Sequence, residues 1–124
     1  MIFLDTHVVV WLYAGNVAKL SEAAIEKIEN NELFVSQLVR LELQYLFEIG
    51  RITVEPDILL KNLKQSIGLK VSPMKVEQVF DLAIACEWTR DVFDRLITAE
   101  AEADNVALVT KDEKIRANYD KACW

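Results

Sequence analysis

The sequence predicts an α/β protein: a three-layer α/β/α sandwich around a central, mainly parallel sheet of four or five short strands. Two observations predict it. Short apolar runs alternate with helix-like stretches of 10–15 residues, the pattern of crossover units. No Pro- or Gly-rich break is long enough to act as a linker, and neither a repeat nor a low-complexity tract interrupts the alternation. Residues 1–124 therefore read as a single domain, large enough to bury roughly two-thirds of the surface that its unfolded chain exposes.

Residues 2–5, Ile-Phe-Leu-Asp, read as a short buried strand. Ser21 with Glu22 behind it is an N-cap signal, and an amphipathic helix follows over 21–31. Leu33-Phe34-Val35-Ser36 is a second strand. From Gln37 to Ile49 apolar residues recur with helical spacing until Gly50, which suits the position just past a helix end. Pro56-Asp57 starts a helix over 56–66, and residues 69–72 form a third strand. Pro73 opens a helix over 74–86, and Asp91 caps another over 92–103. Residues 106–109 are the fourth strand, and 121–124 add an edge strand.

Composition excludes several classes. Apolar residues make up 52% of the chain, with three glycines and two prolines, which argues against disorder. No apolar run approaches the ~20 residues that span a bilayer, so no membrane role is expected. The start lacks a basic region and meets a charge at Asp5, unlike a signal peptide. Cys86 and Cys123 have no metal-type spacing and read as free thiols of a cytoplasmic protein. The net charge of −6 argues at first against a nucleic-acid partner. A metal bound among a subset of the acids would reverse that sign locally, and Glu22, Glu26, Glu29 and Glu32 read as one solvated helix face.

That subset is Asp5, Glu42, Asp91, Asp94 and Asp112. Asp5 follows the first strand and Asp112 the fourth, while Glu42 and the Asp91/Asp94 pair fall on helices. The crevice outside the carboxyl ends of a parallel sheet is where ligands bind. Carboxylates gathered there repel one another unless a cation joins them. Each acid also has an ordinary explanation. Asp5, Asp91 and Asp112 suit helix N-caps or turns, and Glu42, on a mostly apolar face, suits an ion pair with Arg40 or Arg95. Taken together, they suit one or two Mg2+ or Mn2+ ions, which need oxygen ligands and few direct carboxylates. A single histidine and unpaired cysteines make zinc a poor fit.

The same residues resemble the PIN-domain nucleases, and more narrowly the bacterial VapC-type toxins. Phe-Leu-Asp-Thr-His-Val-Val-Val-Trp-Leu (3–12) resembles their first motif, with Asp5 as its acid. Val-Ser-Gln-Leu-Val-Arg-Leu-Glu-Leu (35–43) resembles the second, with Ser36 near the site and Glu42 as the acid. Asp-Val-Phe-Asp-Arg-Leu-Ile-Thr-Ala-Glu-Ala (91–101) carries the third acid at Asp94, with Asp91 beside the site. Leu-Val-Thr-Lys-Asp (108–112) resembles the last, with Thr110 and Asp112. Val92 stands where a proline is common and Leu41 where a Trp is common; both touch packing more than chemistry.

The resemblance implies an endoribonuclease that uses Mg2+ (or Mn2+), an RNA substrate, a cognate VapB-type antitoxin and a homodimer. Asp5, Glu42, Asp94 and Asp112 would be catalytic and hold the metal, with Asp91 as a neighbouring ligand. Thr6, Ser36 and Thr110 would orient carboxylates or bind phosphate, and Arg95, Lys111 and Arg90 would neutralise phosphates. His7 reads as structural, with proton transfer as its alternative.

Two other readings compete. An acidic-site phosphatase wants a second aspartate where His7 stands, and a phospho-acceptor receiver wants an acceptor where Ser36 stands. A non-enzymatic interaction module would use the acids only to cap helices and pair with arginines.

Overall fold

The strand β1 (Ile2–Leu4) lies at the centre of a five-stranded sheet with β2 (Leu33–Val35), β3 (Lys70–Val71), β4 (Ala107–Val109) and β5 (Ala122–Cys123). The computed structural model describes residues 1–124. The strand order is β3-β2-β1-β4-β5, and every pairing is parallel. Register is set by Ile2 opposite Leu33 on one side and Ala107 on the other.

Helices α1 (Thr6–Tyr13), α2 (Glu22–Glu29), α3 (Gln37–Glu48), α4 (Pro56–Ile67), α5 (Val76–Ala85), α6 (Val92–Ala103) and α7 (Glu113–Asn118) flank the sheet and complete the sandwich. None is long and apolar enough to cross a membrane. From β1 the chain order runs outward in both directions, so the carboxyl ends of β1 and β4 border the point where the winding reverses. Such a point is where an open parallel sheet leaves a crevice.

The central strands are buried on both faces, with Phe3, Leu4, Val35, Leu108 and Val109 at 1% exposure or less. This is why they read as continuous apolar runs and not as alternating ones. Val8 and Val9 of α1, Leu43 of α3, Leu59 of α4, Ile97 of α6 and Ile115 of α7 close the same core. A smaller cluster of Val79, Ala83, Leu96 and Ala99 joins α5 to α6. Truncating Leu4 or Ile97 to alanine should cost about 2–5 kcal/mol, as core deletions do.

Local chemistry explains the helix ends. The Ser21 and Ser36 hydroxyls accept hydrogen bonds from Ala24 N and Leu38 N at the starts of α2 and α3. Pro56 sits in the first turn of α4, and Gly68 ends that helix at φ +73°, a left-handed conformation that favours glycine.

Two expectations are corrected, and two helices fall where no bounds are assigned. Pro73 does not open a helix: α5 starts at Val76 behind Lys75, which caps without its side chain. Glu32 lies beyond α2 and stands 4.0 Å from Lys70. Helix α1 gives Asp5 the N-cap role that the sequence allows it, over an apolar segment to which no helix bounds are assigned. Helix α7, six residues long, is likewise unpredicted.

Candidate active site

Strand β1 ends at Leu4, and Asp5 follows as the N-cap of α1, its Oδ1 accepting from Thr6 N at 2.8 Å. Its other oxygen, Oδ2, accepts from the Thr110 hydroxyl at 2.6 Å. Thr110 stands just past β4, and its hydroxyl oxygen also accepts from Asp112 N at 3.0 Å. Thr6 donates its own hydroxyl to Glu42 of α3. Both threonines are fully buried. Two inaccessible hydroxyls therefore orient two carboxylates delivered by other elements.

Asp91 and Asp112 each cap a helix with one oxygen. Asp91 Oδ1 accepts from Asp94 N at 2.9 Å at the start of α6, and Asp112 Oδ1 from Ile115 N at 2.9 Å at the start of α7. Capping engages only Oδ1 in each case. Asp5, Glu42, Asp91, Asp94 and Asp112 line a single cleft of about 460 Å³ together with His7, Val8, Trp11 and Lys111. The capping explanation thus holds for individual acids and coexists with their convergence.

The convergence carries an electrostatic cost. Burial pushes the Asp94 carboxyl up to about 7, and Asp91, Asp5, Asp112 and Glu42 all push it the same way. Burial also raises Asp5, against the Thr110 and Thr6 hydrogen bonds, and raises Glu42 against the Thr6 bond. No arginine offsets this: Arg40 pairs with Asp57 at 3.2 Å, and Arg95 Nε donates to the Thr89 carbonyl at 2.7 Å. The expected pairing of Glu42 with either arginine is therefore replaced by the Thr6 hydroxyl.

A cation would relieve this repulsion, and the donor set is carboxylate oxygen, suited to a hard ion such as Mg2+ or Mn2+. No group of three or more His, Cys, Asp or Glu side chains is arranged to hold an ion unaided. Carboxylate donors of this kind suit an ion that keeps several waters and takes one or two carboxylates directly, the habit of Mg2+. It does not fit a closed tetrahedral zinc site.

The model of the PIN domain matches residues 2–121. The chain belongs to the PIN-domain family. Ribonuclease VapC22 of Mycobacterium tuberculosis is 31% identical over 121 residues, covering 94% of this chain and 91% of the relative. Among solved structures, VapBC2 from Rickettsia felis, bound to a DNA fragment from its promoter, matches with a TM-score of 0.65 and 23% identity. That match covers 94% of this chain and 92% of the other. A toxin–antitoxin complex from Klebsiella pneumoniae matches with a TM-score of 0.68 and 13% identity, over 100% and 97% of the two chains. FitAcB from Neisseria gonorrhoeae matches with a TM-score of 0.57 and 20% identity, over 98% and 95%. At these identities the solved structures speak for the fold.

In this PIN domain the remaining predicted residues fall as follows. Lys111 lines the cleft. Arg95 does not: it borders a separate cavity with Thr98, Glu102 and Tyr119, and Arg90 donates to the Glu87 carbonyl. Adjacent residues on a helix point about 100° apart, so Arg95 cannot share the direction of Asp94. Ser36 is buried at the cap of α3, outside the cleft lining. His7 is exposed in the cleft wall and is not a core histidine. Trp11 also lines the cleft and has no place among the sequence candidates. The signal for it is its position four residues after His7, which puts both on one face once α1 is known to start at Thr6 behind the Asp5 cap.

Proposed function

We propose that the chain is the toxin of a toxin–antitoxin pair, an endoribonuclease dependent on Mg2+ or Mn2+, with residues 1–124 acting as one catalytic unit. The observation that carries this reading is the cleft in which five carboxylates meet around Asp94 with no arginine among them. Membership of the PIN-domain family and the 31% identity to a VapC ribonuclease support ribonuclease activity and a VapB-type antitoxin. The homodimer expected from the sequence belongs to the same proposal.

Asp5, Glu42, Asp94 and Asp112 would hold the ion, with Asp91 as a further acceptor at the cleft mouth. A divalent ion in such a site supplies a water of lowered pKa and neutralises charge on the phosphate. The protein's own contribution is orientation: Thr6 fixes Glu42 and Thr110 fixes Asp5, so neither carboxylate swings into solvent. Asp94, whose carboxyl is pushed up to about 7 by burial and by its acidic neighbours, links ion binding to the charge state of the cleft. Lys111 in the cleft wall offers a phosphate contact.

The test is cleavage of total cellular RNA by the antitoxin-free chain with Mn2+, with chelator, and with Asp94→Asn. Discrete fragments that need both the ion and Asp94 are expected. Cutting that persists in chelator, or in folded Asp94→Asn, would overturn the assignment.

A further inference from the structure

Trp11 of α1 stands where three segments of the chain meet beside the acidic cleft. Lys19, from the 3₁₀ turn Val17–Lys19, holds its ammonium 5.6 Å from the centre of the Trp11 ring. Lys111, from the loop between β4 and α7, holds its own 5.9 Å from the same ring. His7 lies 6.1 Å away on the preceding turn of α1, and Trp124 meets the ring edge-on at 5.9 Å. Trp11 is half-buried, packing partly on the core and partly lining the cleft; His7 and both lysines are exposed.

We infer that Trp11, Lys19 and Lys111 form a single-stranded RNA subsite at the rim of the cleft: the two lysines that cover the ring in the free chain swing out to flanking phosphates as the indole stacks on an unpaired base. The inference rests on the ribonuclease reading of the cleft and adds the residues that hold the strand there.

Charge favours it. The chain carries a net −6, and Lys111 shares a cleft with five carboxylates, yet neither Lys111 nor Lys19 forms an ion pair. The three ion pairs of the molecule, Arg40–Asp57, Lys70–Glu32 and Lys75–Asp104, all involve other residues. Two ammonium groups on long flexible stems over an aromatic ring supply the combination that binds single strands without strict sequence choice: cations for the backbone and a ring for a base. Single-stranded segments are also where RNA exposes bases that can be stacked. A protein segment would gain less here, since nothing apolar and exposed continues the Trp11 surface into the cleft, whose other lining residues apart from Val8 are polar or charged.

The test measures binding of a fluorescein-labelled single-stranded RNA oligonucleotide of mixed sequence to D94N, the variant expected not to cut it. Trp11→Ala is expected to raise Kd about tenfold or more, and Trp11→Phe, which keeps a ring and the packing, to recover most of that loss. Lys19→Gln with Lys111→Gln is expected to lower the slope of log affinity against log salt by about 1.4, roughly 0.7 for each phosphate no longer neutralised. Unchanged Kd in Trp11→Ala with an unchanged slope in the lysine variant would overturn the subsite, as would the absence of any binding by folded D94N. Cleavage of cellular RNA by the unmodified chain is scored separately. Cutting with no effect of these substitutions removes the subsite and leaves the ribonuclease; binding with the expected dependences but no cutting does the reverse.

Discussion

Thr110 donates its hydroxyl hydrogen to Asp5 across 2.6 Å, tying the end of β4 to the end of β1 over 105 positions of sequence. The same hydroxyl oxygen accepts from Asp112 N, so one buried threonine organises two acids of the cleft. Thr6 repeats the device from α1 to Glu42 on α3. The acids are thus held at the reversal point of the sheet by donors that solvent does not reach.

Replacing Thr110 with valine keeps the shape and removes both bonds. Asp5 would then be a buried carboxylate short of one donor, at a stability cost of about 1–3 kcal/mol. Partners that orient metal-binding carboxylates typically change activity or metal affinity by about 10- to 100-fold when removed. Thr110→Val should therefore melt lower and cut RNA at least about tenfold more slowly with Mn2+. Melting and activity both matching the unmodified chain would mean that the bond does not position Asp5.

Stability without metal should fall as pH rises from about 5 to about 8. In the folded chain Asp94 is pushed up to about 7 from an ordinary 3.8. A raised folded-state pKa means that the folded form holds its proton more tightly than the unfolded form. Its contribution is fully present below about 4 and is lost as pH climbs through about 7. Asp5 and Glu42, raised as well, act in the same direction. Mn2+ at about pH 8 should restore several degrees of melting temperature, since an ion at 100 times its Kd stabilises by about 2.7 kcal/mol. Asp94→Asn should lose most of that shift. An equal Mn2+ shift in the variant would remove Asp94 from the metal site.

The parts of this structure legible from sequence are those in which a local signal coincides with the tertiary role. Ser21, Pro56, Gly50 and Asp91 mark helix boundaries because caps and turns are local chemistry. Strands β1, β2 and β4 are legible because strands buried on both faces are apolar throughout. Helix α1 is legible only through its cap at Asp5, since the packing that buries Val8 and Val9 also erases the periodicity that would announce a helix. The cleft acids stand out because carboxylates at strand exits are conspicuous. Trp11 does not, since its role depends on Lys19 and Lys111 arriving from distant segments. Arg95 misleads for a simpler reason: it is adjacent to Asp94 in sequence and turned away from it on the helix.

Glu100 gives a prediction independent of the cleft. It lies on the buried face of α6 at 2% exposure, and neither carboxylate oxygen forms a hydrogen bond. Burial pushes its pKa up to about 7, with a further upward push from Asp104. Above about pH 7 the folded chain must ionise a buried group that ionises freely when unfolded. Glu100→Gln removes that cost and should stabilise the chain by about 1–3 kcal/mol at about pH 8. The gain should shrink toward zero as pH falls to about 3.5, a unit below the ordinary 4.5, where the carboxyl is mostly protonated in both states. Urea unfolding at the two pH values measures it, and a destabilised variant at about pH 8 would show that the ionised carboxylate has a compensating partner.

Arg95 separates positioning from substrate binding. Its Nε holds the Thr89 carbonyl at 2.7 Å, and the Thr89 hydroxyl accepts from Asp91 N at 3.2 Å, so Arg95 braces the turn that carries Asp91. Arg95→Gln should lower stability by about 1 kcal/mol, the scale of one half-exposed hydrogen bond, and slow cleavage far less than Asp94→Asn does. Because Arg95 borders a different cavity, it touches no phosphate in the cleft. The salt dependence of RNA binding should therefore be the same in Arg95→Gln and in the unmodified side chain, both measured in the Asp94→Asn background. A slope lowered by about 0.7, the value for one fewer neutralised phosphate on a single strand, would instead show that RNA extends past the cleft to Arg95.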